Sequence, residues 1–348
     1  MTRNHPIARN RASLAEAGAT LSPCNKGRAA TTSPAAVQAY AELHCISNFT
    51  FLRGASFPEE LVERAEALGY SAIAITDECS LSGVVKAHMA AKERRIKLII
   101  GSEFVLQDAA AEALQDEQTI RKNRDALNNG MRIVLLALNR KGYGELSHLI
   151  SCARLQANKG EYRVDSELLR EKFPNDCALL WIPNLKQSGA CIESQAAYLR
   201  VLAGGNIWIA AELLLNGHDR LKLKRLQKLG KSFDIPVCAA GGVYMHEAGR
   251  RIVQDTLTAI RLNQPLTEIG FAAEPNSQRH LRSIEQLKKL YPVQLLDETL
   301  NIANRCDFSL DDLRYEYPSE LVPKEHTAHS WLWQLTREGI KKRWPQGI

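Results

Sequence analysis

Histidines and carboxylates recur at the ends of short apolar runs in this chain, and these side chains bind divalent cations or move protons. The first run finishes Leu43-His44-Cys45-Ile46-Ser47, and the second ends Thr76-Asp77-Glu78-Cys79. The third passes through Gly101-Ser102-Glu103-Phe104, and the last closes Ala239-Ala240-Gly241-Gly242-Val243-Tyr244-Met245-His246. Where strands alternate with helices, the loops at the carboxyl ends of the strands converge on one rim. His44, Asp77 and Glu103 on such a rim, with Glu78 and His246 as substitutes, could hold a divalent metal that activates water for phosphoester hydrolysis. A single His or Asp at a strand end is ordinarily a loop hydrogen-bonder. Three arriving together point to a site, or to the remains of one.

The elements that must position these residues are legible from residue 40 onward. Apolar runs at 41–46, 71–76, 97–104, 132–138, 178–182, 207–211 and 237–240 are too short for buried helices and favour Ile, Leu and Val, as strands buried on both faces do. Each is followed by helical spacing. In the helix after the first strand, Ser56 is the expected cap, Pro58 suits the first turn, and Glu59 and Glu60 complement the dipole. Leu61, Ala65 and Leu68 form its stripe and Gly69 ends it. Helices are also predicted near 83–94, 143–156, 190–202, 217–230 and 247–261. Seven strands alternating with helices imply parallel pairing with right-handed crossovers, in either an open sheet or a closed barrel. Beyond about residue 265 strands cease. Helices are predicted at 281–290, 295–305 and 330–343, joined by the stretch Tyr315–Pro323. This reads as a second region, 266–348, small for a core of its own.

The chain of 348 residues is 45% hydrophobic and 24% charged, ordinary for a soluble globular protein, and holds no apolar run of membrane-spanning length and no signal peptide. Residues 1–38 carry few large apolar side chains and read as a disordered basic tail. They hold five basic residues against Glu16, 5 − 1 = +4 of the formal +6, so the remainder carries only +2 and overall basicity says little about DNA. The eight cysteines form no C-x-x-C, and several sit in apolar runs, which reads as free, mostly buried thiols of a cytoplasmic protein.

The run Tyr40-Ala-Glu-Leu-His-Cys-Ile-Ser-Asn-Phe-Thr-Phe-Leu-Arg-Gly-Ala-Ser56 resembles the opening of the PHP (polymerase and histidinol phosphatase) domain. So do Ala72-Ile-Ala-Ile-Thr-Asp-Glu-Cys-Ser-Leu-Ser-Gly83 and Leu98-Ile-Ile-Gly-Ser-Glu-Phe104, in wording similar to the error-prone branch of C-family, DnaE-type bacterial DNA polymerases. Asp255–Leu262, Arg279–Arg282, Arg305–Pro318 and Glu338–Trp344 are similar to the stretch that leads into the palm of such an enzyme. The resemblance covers most of 40–345, weakest in the middle. It implies a distorted seven-stranded β/α barrel over 39–265 and a helical start of the polymerase region over 266–348. For the complete enzyme it implies translesion, damage-associated DNA synthesis with Mg²⁺, DNA as partner, and other repair proteins as candidate partners.

The departures from the family pattern matter equally. A metal-competent PHP site opens His-x-His, but the second position here is Ile46; the residue after the Asp is commonly His, but here is Glu78. The last strand of active members carries Asp-x-His, against Gly242 and Tyr244 here, and a His expected before the fourth apolar run is Arg132. What survives is His44, Asp77 and Glu103. A cluster so short of donors should bind no metal tightly, with Mn²⁺ or Zn²⁺ the ions to expect if the remnant were competent. Polymerase chemistry needs paired carboxylates to hold two ions, which the family presents as Asp-x-Asp. No Asp-x-Asp occurs here, and the adjacent Asp311 and Asp312 would face opposite sides of a strand.

The leading expectation is therefore the amino-terminal part of an error-prone polymerase, inactive alone. The alternatives are a stand-alone metal-dependent phosphoesterase or exonuclease and a non-catalytic interaction module for repair proteins. Three further signals take bland readings. Gly230-Lys231-Ser232 lacks the earlier Gly of a P-loop. His326 and His329 have no metal-type partner nearby in sequence, and Lys341-Lys342-Arg343 suits a basic helix end. The cations of 220–231 (Arg220, Lys222, Lys224, Arg225, Lys228 and Lys231) default to a solvated helix face over a buried Leu stripe, with a DNA- or partner-facing surface as the alternative.

Overall fold

The computed structural model describes residues 39–106, 130–314 and 322–347. The basic tail, Cys24 and most of the Tyr315–Pro323 connection fall outside these. The seven apolar runs become β1 (Ala41–Glu42), β2 (Ala72–Ile75), β3 (Lys97–Leu106), β4 (Met131–Ala137), β5 (Cys177–Ile182), β6 (Ile207–Glu212) and β7 (Val237–Ala240), hydrogen-bonded in sequence order. Past β1 and β7 the chain closes on itself: Val243 N donates to His44 O at 3.0 Å and Ile46 N to Val243 O at 2.9 Å. The result is a nearly closed seven-stranded barrel surrounded by helices.

The expectation of all-parallel pairing is corrected here. β1–β2–β3 and β5–β6–β7 are parallel, but β4 runs antiparallel to both β3 and β5. Apolar periodicity reports burial on two faces and is blind to strand direction, so it could not distinguish these arrangements.

Helices on the outside include α1 (Pro58–Ala67), α2 (Val84–Arg94), α3 (Arg140–Leu155), α4 (Ser166–Glu171), α5 (Gly189–Ala203), α6 (Asp219–Phe233) and α7 (Arg251–Leu262). Leu61 and Ala65 of α1 are buried as its stripe requires, and Gly69 follows the helix at φ +75°, the left-handed conformation that a residue with a side chain resists. The expected cap is corrected: Phe57 takes the N-cap position of α1, and the Ser56 hydroxyl accepts from His246 N at 2.9 Å instead.

Side chains alternate strictly along the strands. Ile73, Ile133, Leu179 and Ile209 join the core shared with the helices, while Ala74, Val134, Leu180 and Ala210 join a second core inside the barrel. Burying each of the larger aliphatic side chains contributes about 1.5–3 kcal/mol. The inner core also contains Ile302, Ala303 and Cys306 from α9 (Val293–Arg305), which packs against β1 and β7. Thr299 on α9 accepts from Ala41 N at 3.3 Å. α8 (Ile284–Leu290) leads to Tyr291, whose hydroxyl accepts from Leu213 N at 2.9 Å and donates to Ala240 O at 3.0 Å. Much of the segment read as the start of a second region thus contributes to the barrel's own packing. α10 (Ala328–Arg343) buries none of its residues.

Candidate functional site: the barrel mouth

The alternation that fills the barrel also decides what reaches its mouth. Continuing the inward-facing positions by two residues from Ala210 gives Glu212, from Ala240 gives Gly242, and from Gly101 gives Glu103. Because β4 is antiparallel, it delivers its beginning to this rim, and the inward residue two before Val134 is Arg132. His44 arrives from the extension of β1 beside Val243.

These groups meet in a buried ion-pair network. His44 is fully buried; its Nε2 lies 2.6 Å from Glu103 Oε2 and its Nδ1 lies 2.8 Å from Glu212 Oε1. Arg132 sits between the same two carboxylates, at 3.3 Å from Glu103 Oε2 and 3.8 Å from Glu212 Oε2. Arg53, from the loop after β1, reaches Glu103 Oε1 at 3.3 Å, donates to Tyr244 Oη at 3.1 Å and pairs with Glu78. Arg279 lies 3.7 Å from Glu212 and 2.8 Å from Glu274, with its guanidinium stacked 4.4 Å from the Tyr244 ring centre. Tyr162 donates to Glu78 Oε1 at 2.7 Å.

Burial alone would neutralise these groups, but their neighbours prevail. Burial lowers the His44 pKa, yet the hydrogen bonds to the Glu103 and Glu212 carboxylates raise it to about 9, which favours an imidazolium donating from both nitrogens. Burial raises the Glu103 pKa, and Arg132, Arg53 and His44 drive it well below the carboxylate range. Glu212 is lowered too, its burial being outweighed by Arg132, His44 and Arg279. Four cations (His44, Arg53, Arg132, Arg279) thus face four carboxylates (Glu78, Glu103, Glu212, Glu274).

Of the sequence-predicted site residues, His44 and Glu103 touch each other directly. Glu78 joins them through Arg53. Asp77 is buried nearby but turned to the loop after β1: it accepts from Ser47 N at 2.7 Å, Ser47 Oγ at 2.8 Å and Thr50 Oγ1 at 2.7 Å. His246 stands apart, its Nδ1 2.8 Å from Ser56 Oγ. Sequence reasoning missed Glu212, Arg53 and Arg279 as site residues. Glu212 directly follows the apolar run 207–211 at a strand's carboxyl end and was findable by the rule that found the others. Arg53 and Arg279 lie in loops, where no periodicity marks direction.

The chemistry of a PHP metal site does not fit these residues. Ile46 offers no donor. Gly242 has none either, and at φ +56° a Cβ there would stand 2.7 Å from Glu212 Cδ and 2.8 Å from Arg279 Nη1. Both ring nitrogens of His44 face carboxylates, and as an imidazolium the ring has no lone pair for a metal. Guanidinium groups sit against the carboxylates that would coordinate the ion.

The fold defines a class. The PHP domain family model matches residues 42–222, a little over half of the chain, and the chain belongs to that family. Particular relatives sharpen this. The chain is 49% identical over 308 residues to the error-prone DNA polymerase of Methylococcus capsulatus, covering 88% of this chain and 27% of that protein. It is 47% identical over 313 residues to the error-prone DNA polymerase of Dechloromonas aromatica, covering 89% of this chain and 28% of that one. The chain therefore spans little more than a quarter of the length of these curated relatives. Among solved structures, a putative metal-dependent phosphoesterase from Bifidobacterium adolescentis is 13% identical with a TM-score of 0.41, covering 74% of this chain and 96% of that one. A likeness that distant carries nothing to this chain. No helix among the described residues is long and apolar enough to cross a membrane.

Proposed function

We propose that this chain is the amino-terminal portion of an error-prone, translesion DNA polymerase, and that its PHP barrel serves that enzyme as a structural platform. The complete enzyme would take DNA as substrate and Mg²⁺ as cofactor on palm carboxylates of the Asp-x-Asp type, a motif this sequence does not contain. The polymerase half of the reading rests on similarity that runs along nearly nine-tenths of the chain. The platform half rests on one observation, the double engagement of His44 by Glu103 and Glu212 inside a ring of arginines. A stand-alone phosphoesterase would need a lone pair or an open carboxylate where this pocket has a paired one. A cytoplasmic setting suits such an enzyme, and translesion or repair proteins are its expected partners.

The purified chain, given millimolar Mn²⁺, Zn²⁺ or Mg²⁺, is expected neither to hydrolyse p-nitrophenyl phosphate or 3′-labelled single-stranded DNA nor to extend a primer. Metal-dependent hydrolysis that disappears in His44→Ala would overturn the platform reading. Genomic DNA beyond codon 348 is expected to encode an Asp-x-Asp palm; an unrelated reading frame directly following would overturn the polymerase reading.

A further inference from the structure

The cation-rich helix α6 resolves into two parts in the folded chain. Lys222 turns inward and is only partly exposed, its Nζ donating to Glu212 O at 2.5 Å. Arg220, Lys224, Arg225, Lys228 and Lys231 are exposed, and among the described residues none of them meets a carboxylate. Four of them, at 220, 224, 228 and 231, follow the spacing of one helix face and spread over about 16 Å of its length.

Several cations elsewhere on the barrel are paired, whereas Lys288 and Lys289 of α8 and Lys341, Lys342 and Arg343 of α10, like the α6 row, meet no carboxylate among the described residues. Lys141 pairs with Glu145 and Asp176, Arg94 with Glu63, Lys86 with Glu59, and Lys92 with Asp311. On α6 the only acid is Asp219, and its carboxylate accepts from the backbone N–H groups of Leu214 and Asn216. On neighbouring α5, Arg200 is engaged with Asp234. Like charges at helical spacing repel by a few tenths of a kcal/mol per pair, so the fold gains nothing from this arrangement.

We infer that this face of α6 docks the phosphate backbone of nucleic acid, without reading bases. The inference goes beyond the polymerase reading and does not depend on the barrel mouth. Between the cations lie Gln227 and Ser232, hydrogen-bonding groups suited to phosphate oxygens, and Leu226 is buried beneath. A protein partner would need apolar anchors at the centre of the patch, and a membrane surface would need large apolar side chains to insert. Leu221, exposed beside the row, is a single apolar side chain at its amino-terminal end and supplies neither. A line of unpaired cations is what neutralises phosphates and releases their counterions.

The test is fluorescence anisotropy of the full chain with a short labelled DNA duplex across a salt series. The triple variant Lys224→Gln, Lys228→Gln, Lys231→Gln should flatten the slope of log K against log salt by about 2.7, three phosphates at 0.9 each. Raising salt fourfold should therefore weaken wild type roughly 40-fold more than this variant. A control with equal charge change, Lys86→Gln, Lys92→Gln, Lys141→Gln, should keep the wild-type slope. Should the triple variant misfold by circular dichroism, Lys228→Gln alone should flatten the slope by about one. Unchanged binding in the α6 variants, equal weakening in the control, or binding of wild type to anionic vesicles but not to DNA would each overturn the inference.

Discussion

Arg132→Met keeps the stem of the side chain and removes its guanidinium from between Glu103 and Glu212. Breaking a buried ion pair from one side costs about 3–5 kcal/mol because the other charge is left uncompensated. Here the cost is smaller, since Arg53 still faces Glu103, Arg279 still faces Glu212, and Arg132 retains 19% exposure. About 2–3 kcal/mol is the expected loss. For a folding unit of about 300 residues the unfolding entropy is near 0.6 kcal/mol/K, so Tm should fall by roughly 3–5 °C. Thermal denaturation followed by circular dichroism reads this directly, and metal gives the decisive comparison. A metal present at about a hundred times its Kd would stabilise the folded state by about 2.7 kcal/mol. Wild-type Tm is therefore expected to be indifferent to EDTA, Mn²⁺ and Zn²⁺ while Arg132→Met lowers it. An EDTA-induced drop in wild type, or an Arg132→Met protein as stable as its parent, would refute the claim that guanidinium groups neutralise this pocket.

Two further outcomes follow from the same geometry. Gly242→Asp, which places a carboxylate where the family resemblance leads one to expect it, should destabilise by about 2 kcal/mol or more through a strained left-handed backbone and a clash with Glu212, and should recruit no Mn²⁺ by calorimetry. Measurable Mn²⁺ binding in that variant would mean that Glu212 and Arg279 yield more readily than their packing implies. The second outcome concerns pH. His44 has a folded pKa raised to about 9 from 6.5, so its contribution is fully present below pH 6.5 and is lost as pH rises through 9. Glu103 and Glu212 are depressed, so theirs is present above about 4.5 and lost as pH falls through their folded values. Urea unfolding should show stability declining between pH 6.5 and 9, by on the order of a few kcal/mol. A flat profile over that window would show that His44 is not held as an imidazolium.

The two halves of the site differ in what made them legible. Side-chain chemistry is a property of the residue alone, so the missing donors at Ile46 and Gly242 and the arginine at 132 could be read before any fold was known. Strand positions were equally accessible, because residues buried on both faces must be apolar wherever the strand lies. Direction was not, because strand pairing is a contact between distant segments. Only the folded chain shows that β4 runs against its neighbours and so brings Arg132 to the rim where β3 and β6 end. Likewise the partner of a charge is set by proximity in space. His44 finds Glu103 at a separation of 59 residues and Glu212 at 168, and Arg53 meets Tyr244 across 191. The direction a carboxylate faces is decided by the nearest donors, which is why Asp77 serves Ser47 and Thr50 rather than the pocket. The sequence by itself determined which side chains stand at positions 46, 132 and 242 of this PHP domain. The tertiary structure decided which charges neutralise one another, because that depends on a few ångströms of distance that no linear spacing encodes.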